Sequence, residues 1–173
     1  KPPPDCFVPI TSGLAKTIPR LGVKPIRICH HFSHRDKLSA RYMTILVSND
    51  DGIAADGLWQ LVRELKTIAR VAVVAPDRER SAIGTAVTLR QLLRVKKVNS
   101  LFPEVEAYSV DGTPADCVIL ALGKLFQNDI DLVVSGINQG PNVGDDVLIS
   151  GTVAAALQGY LRGCPALAIS VFL

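Results

Sequence analysis

An α/β fold on a mostly parallel sheet is what this sequence predicts, because short apolar runs of strand character alternate with segments that are apolar at helical spacing. Two strand–helix–strand units are legible, at residues 44–75 and 107–134. A strand in each unit runs into a polar, glycine-containing segment. In open α/β sheets such carboxyl-terminal strand ends are where ligands bind.

The first strand spans residues 44–48, Thr-Ile-Leu-Val-Ser, and stops on Asn49-Asp50-Asp51-Gly52. A helix follows over residues 57–69, with Leu58, Leu61, Val62 and Leu65 on one face, and a second strand over 71–75. The second unit has a strand near residues 107–110, a helix from Pro114 to about Phe126 and a strand over 131–134. Its helix begins with Thr113-Pro114-Ala115-Asp116, an N-cap hydroxyl, a proline in the first turn and an acid three residues after the cap. Structure alone explains that signal. A last helix opens at Ser150-Gly151-Thr152 and runs on through Val153-Ala154-Ala155-Ala156. Residues 165–173 read as a strand cut by the chain end, so the expectation is a domain whose C-terminal part is missing.

Charge divides the chain at Met43, its single methionine. Residues 1–42 hold eight Lys or Arg against two Asp, and residues 43–173 hold eleven against fourteen acids. The basic balance therefore belongs to a Pro-rich leader without core periodicity, and a nucleic-acid-binding body is not predicted. An organelle-targeting peptide has a similar composition. The preferred reading makes Met43 the functional start and residues 1–42 upstream sequence outside the fold.

His30, His31 and His34 also lie in the leader, which leaves the body without histidine. Carboxylate, hydroxyl and amide oxygens are then the available metal ligands, and these suit Mg²⁺ or Mn²⁺. Cys6, Cys29, Cys117 and Cys164 show no C-x-x-C spacing, and the body's two sit among apolar neighbours. A reducing cytoplasm is the simplest setting. No apolar run of eighteen residues predicts a membrane span.

Asp50 and Asp51 repel each other at a strand end, and a hard divalent cation is a common solution to that repulsion. The plainer alternative is a solvated Asp-Gly turn. The second polar segment, Ser135-Gly136-Ile137-Asn138-Gln139-Gly140-Pro141-Asn142-Val143-Gly144-Asp145-Asp146, gives the cleft its other candidate wall. Ser150 either caps the last helix or opens an anion site at its N-terminus. A metal beside such a helix end is the outline of a phosphoryl-transfer site.

Asn49-Asp50-Asp51-Gly52-Ile53, Ala75-Pro76-Asp77-Arg78-Glu79-Arg80-Ser81, Asp111-Gly112-Thr113-Pro114-Ala115-Asp116-Cys117, and Ser135-Gly136-Ile137-Asn138 through Ser150-Gly151-Thr152-Val153 together resemble the SurE family of survival-protein 5′-nucleotidases. The four motifs occur in order across residues 43–173. The resemblance implies a Rossmann-like three-layer αβα sandwich and a metal-dependent phosphatase acting on nucleoside 5′-monophosphates, with 3′-nucleotides and short polyphosphate as further substrates in some members. It implies one divalent cation per site, Mg²⁺ or Mn²⁺, held by Asp50, Asp51, Ser81 and the amide oxygen of Asn138. Asn142, Ser150, Gly151 and Thr152 fall on the family's phosphate-facing loop and helix start.

Asp50 or Asp51 is the implied catalytic group, as base or, for Asp51, as nucleophile. A homo-oligomer, dimer or tetramer, is implied for the complete chain. Arg78 and Arg80 read as ion-pair partners of Asp77, Glu79 or the cleft's acids rather than as phosphate clamps. The sequence departs from the family at Asp56, Ala82 and Ile149, where proline, glycine and an aromatic are common.

The rival classes are a non-catalytic nucleotide-binding module and a receiver-like regulatory domain. A receiver needs a phosphoaccepting Asp at the end of a middle strand and a lysine ending a later one. Val73-Val74-Ala75-Pro76 and Val133-Val134-Ser135-Gly136 supply neither. A Rossmann dinucleotide site needs G-x-G-x-x-G after the first strand, and Asn49-Asp50-Asp51-Gly52 is not that.

Overall fold

A computed structural model describes residues 43–127 and 129–172. The leader, residues 1–42, lies outside the described residues. The strands are β1 (Thr44–Ser48), β2 (Arg70–Pro76), β3 (Val95–Val98), β4 (Glu106–Val110), β5 (Leu132–Gln139) and β6 (Ala166–Val171). The helices are α1 (Asp56–Leu65), α2 (Pro114–Leu120), α3 (Asp146–Ile149) and α4 (Gly151–Leu161). One π-helical turn, Ala121–Leu125, extends α2.

The strands lie in the order β3-β4-β2-β1-β5-β6, parallel except for the antiparallel β3–β4 edge pair. β1 is buried along its whole length, as a strand covered on both faces must be. Helix α1 packs with Ile45, Val47, Val71 and Val73 on one face. Cys117 and Val118 of α2, with Ala155 of α4, pack with Leu46, Val74 and Val133 on the other. The result is an α/β fold on a mostly parallel sheet, as the strand–helix pattern predicts, in the three-layer arrangement that the family resemblance implies.

From β1 the chain turns through α1 to β2, whereas β5 is reached through α2 and leaves through α4. Helices on opposite faces flank the β1–β5 pair, which makes the carboxyl ends of these two strands the sheet's switch point.

The α2 start forms as the sequence expects. Thr113 Oγ1 accepts from Asp116 N at 3.1 Å and Asp116 Oδ2 accepts from Thr113 N at 2.9 Å, a complete capping box. The buried Asp116 carboxylate also accepts from Thr88 N at 3.0 Å and from Thr88 Oγ1 at 2.7 Å, and Thr113 Oγ1 donates to Ala86 O at 2.7 Å. The irregular segment after β2 is thereby stitched to the helix.

Three elements differ from the sequence reading. β5 continues through Ser135–Gln139, which the sequence presents as a loop, because Asn138 and Gln139 pair with Ser170 and Val171 after an irregularity in register. A side chain at Gly136 would put its Cβ 2.4 Å from Ile169 O, so only glycine lets β6 lie this close. β3 escapes the sequence reading because its Lys96-Lys97 centre is exposed and charged, a composition suited to a protected sheet edge. The short helix α3 buries no residue and has no side-chain cap, so it leaves no periodic signal.

Asp116→Ala should lower stability by about 2–4 kcal/mol, because it removes the capping box and leaves three donors without their acceptor. Urea denaturation measures this as a lower midpoint at unchanged slope. An unmoved midpoint would mean that the stitching of residues 86–88 contributes nothing to the fold.

Candidate functional site

The turn after β1 is shaped by Asn49, a fully buried side chain that donates to Gly52 O at 3.0 Å and accepts from Gly52 N at 3.2 Å. Gly52 has a φ of +97°, and a Cβ there would stand 2.9 Å from the carbonyl carbon of Arg78. Glycine alone combines that conformation with that approach. Asp50 and Asp51 are projected from this turn beyond the strand end.

Asp50 is buried and held on three sides. Its backbone oxygen accepts from Arg80 N at 2.7 Å. Its Oδ1 accepts a hydrogen bond from the Thr152 hydroxyl. Gly151 lies so near that a Cβ would meet Asp50 Cβ at 2.7 Å, which brings the start of α4 against the aspartate. Asp51 is half-buried. Burial raises its pKa above the ordinary carboxyl range, with repulsion from Asp50 and then Glu79 adding to the rise, and a hydrogen bond with the Gln139 backbone opposes it.

Among the described residues no Lys or Arg pairs with Asp50, Asp51 or Glu79. Arg78 and Arg80 instead pair with Asp77 at 3.5 and 3.3 Å, and Arg80 Nη2 donates to Asp111 O at 2.9 Å.

An open cleft of about 310 Å³ joins Asp50, Asp51, Ser81, Asn138, Asn142 and Ser150, together with Glu79, Ala82, Gln139, Asp146 and Ile149. Six of the eight residues singled out in the sequence thus share one cavity. The other two, Gly151 and Thr152, sit behind Asp50. Ser81 Oγ donates to Glu79 Oε1 at 2.6 Å. Asn138 Nδ2 donates to Gly140 O at 2.8 Å, which leaves Oδ1 as its free end. Asn142 Nδ2 donates to Ser170 Oγ at 2.8 Å and is tied to β6. Ser150 Oγ accepts from Val153 N at 3.1 Å and caps α4.

Sequence reading singled out neither Glu79 nor Asp146 as a site residue, although Asp146 ends the segment it takes as a cleft wall; both line the cleft. Both lie where no secondary-structure period reports direction, and the path of the first segment is set by long-range bonds such as Gly84 N to Ile149 O at 2.7 Å. Ala82, beside Ser81, is the only non-glycine with positive φ among the described residues, at +52°. It stands where the resemblance expects glycine, so the backbone path is kept despite the added Cβ.

Among the described residues no group of three or more His, Cys, Asp or Glu is placed to hold a metal ion. A cation here therefore needs neutral oxygens beside Asp50 and Asp51. The hydroxyl of Ser81 and the free amide oxygen of Asn138 are oxygens of that kind in the same cleft. This hard-oxygen set fits Mg²⁺ or Mn²⁺.

The profile of the Survival protein SurE family matches residues 45–173. The chain belongs to the SurE family. It is 67% identical over 129 residues to the 5′-nucleotidase SurE of Dehalococcoides mccartyi, a match covering 75% of this chain and 49% of that protein. It is 56% identical over 129 residues to the 5′-nucleotidase SurE of Legionella pneumophila, with the same coverage of 75% and 49%. The crystal structure of the SurE protein from Aquifex aeolicus superposes with a TM-score of 0.67 at 41% identity, covering 75% of this chain and 51% of that one. The chain spans about half the length of the relatives it matches. No helix among the described residues is long and apolar enough to cross a membrane.

The raised pKa of Asp51 makes a signed prediction for the protein without cation. A carboxyl that holds its proton more tightly when folded costs stability as pH rises from the ordinary carboxyl range through the raised value, and the loss persists above it. Asp51→Asn should therefore be more stable than the parent at pH 7 in chelator, by less than about 1 kcal/mol because the group is screened. The two should converge near about pH 3.5, where the unfolded carboxyl is also largely protonated. Thermal melts across that range test this, and a less stable Asp51→Asn protein at pH 7 would contradict it.

Proposed function

We propose that this chain carries the catalytic site of a metal-dependent 5′-nucleotidase, which hydrolyses the phosphomonoester of nucleoside 5′-monophosphates. The observation that carries the reading is the cleft at the switch point. There two adjacent carboxylates without a cationic partner among the described residues share one cavity with Ser81, Asn138, Asn142 and the capped start of α4. The printed names of the relatives point to the same reaction.

Asp50, Asp51, Ser81 Oγ and Asn138 Oδ1 would hold one Mg²⁺ or Mn²⁺. When bound, the cation supplies Lewis-acid polarisation of a phosphoryl oxygen and activation of water. The backbone N–H groups at the start of α4 would face the substrate's equatorial oxygens, where the helix dipole favours negative charge. Ser150 shapes that terminus by capping it. Of the two aspartates, Asp50 has one oxygen committed to Thr152 and is almost fully buried. Asp51 is thus the carboxylate better placed to take a proton from water or to attack phosphorus.

Cys117 and Cys164 are buried free thiols, which suits a reducing cytoplasmic setting. The full-length protein is proposed to form a homo-oligomer, a dimer or tetramer.

Phosphate release from AMP with and without Mn²⁺ tests the reaction. In the full-length protein Asp51→Asn should lower Mn²⁺-dependent hydrolysis by roughly three orders of magnitude. Asp145→Asn should change it by no more than about threefold, because Asp145 is exposed and absent from the cleft lining. The reverse pattern, Asp145→Asn dead and Asp51→Asn active, would falsify this placement of the metal.

A further inference from the structure

The family resemblance puts Thr152 on the phosphate-facing helix start, but its side chain is engaged elsewhere. Thr152 is completely buried, does not line the cleft, and gives its hydroxyl to Asp50 Oδ1. A threonine hydroxyl carries one proton. While that proton is shared with Asp50 it is not available to a phosphoryl oxygen, and any contact of residue 152 with substrate falls to its backbone N–H.

From this geometry we propose that Thr152 is a positioning residue: its hydroxyl fixes the rotation of the Asp50 carboxylate, so that Oδ2 is the oxygen presented to a divalent cation. The proposal rests on the metal-dependent reading of the cleft and assigns one side chain's part in it. Three features support it. The backbone of Asp50 is already pinned by Arg80 N at 2.7 Å, which leaves side-chain rotation as the freedom still to be removed. The glycine at 151 allows the start of α4 to approach Asp50 closely enough for the Thr152 hydroxyl to reach it. Asp50 is 5% exposed, so solvent offers little alternative to the threonine as a donor. Partners of metal ligands that act in this way typically change metal affinity or activity by about 10- to 100-fold when removed.

Thr152→Val keeps the shape and removes the donor, and Thr152→Ser keeps the donor. In the full-length protein the free Mn²⁺ signal in electron paramagnetic resonance gives metal affinity without reference to turnover, and AMP hydrolysis at saturating Mn²⁺ gives kcat and KM separately. Thr152→Val is expected to weaken Mn²⁺ binding by about 10- to 100-fold and to lower kcat, with KM for AMP changed less than about threefold. Thr152→Ser is expected to restore both values to within about threefold of the parent. In an Asp50→Asn background, Thr152→Val should have no further effect on Mn²⁺ affinity.

Unchanged Mn²⁺ affinity with a raised KM for AMP, or a raised inhibition constant for inorganic phosphate, would make Thr152 a substrate ligand and overturn the proposal. Equal losses in Thr152→Val and Thr152→Ser, with lowered urea midpoints in both, would also overturn it in favour of a packing role. A parent protein that binds no Mn²⁺ would instead remove the metal-dependent reading, and this assignment with it.

Discussion

Two like charges at the end of one buried strand set the terms for the rest of this site. Asp50 and Asp51 follow a strand that has no exposed residue, so their backbone cannot move away to relieve the repulsion. The surrounding structure does not neutralise them with Lys or Arg from the described residues. It holds them in place with neutral groups, the Arg80 and Gln139 backbones and the Thr152 hydroxyl. Burial first, and then repulsion from Asp50 and Glu79, raise the pKa of Asp51, so keeping its charge uncompensated costs stability. The backbones of Arg78 and Arg80 lie against the turn that carries the two aspartates, yet both side chains pair with Asp77.

The topology explains why the cleft can form at all. At the β1–β5 pair the chain's connections depart to opposite faces, and the cleft lies at the strand ends there. The cleft is walled by three segments that are far apart in sequence: the turn after β1, the segment after β2, and the run from the end of β5 to α4. Each is tied down by hydrogen bonds between backbone or buried polar groups. Gly84 N to Ile149 O joins the second segment to the third, and Asp116 anchors the residues just beyond it to α2. Precision in a site built on loops comes from such ties.

These ties also decide what was legible in the sequence. The strand ending in Asp50-Asp51 was readable because an unbroken apolar run of β-branched character carries its own period. The start of α2 was readable because a capping box is local chemistry, with donor and acceptor three residues apart. The continuation of β5 through Ser135–Gln139 was not, because glycine and amides break the apolar pattern and the pairing partner lies more than thirty residues downstream. Glu79 joined the cleft unannounced for the same reason: nothing local fixes the direction of the segment that carries it. The family resemblance brought Ser81 and Thr152 to attention by position in a motif. It did not show which way the Thr152 hydroxyl points.

On the proposed reading, Asn138 shows how the charge problem would limit the choice of ligand. Its amide nitrogen donates to Gly140 O at 2.8 Å, so the residue has a distinct bound end and free end, and the free end is an oxygen. An aspartate at this position would set a carboxylate oxygen against that same carbonyl, two acceptors with no proton between them. It would also add another negative charge to a cleft that already contains Asp50, Asp51, Glu79 and Asp146. If the cleft admits a phosphate dianion as proposed, each extra carboxylate would raise the charge that a single divalent cation has to offset. An amide meets both demands. It orients its oxygen through a bond to the backbone, and that oxygen would serve the proposed cation without adding negative charge to the cleft.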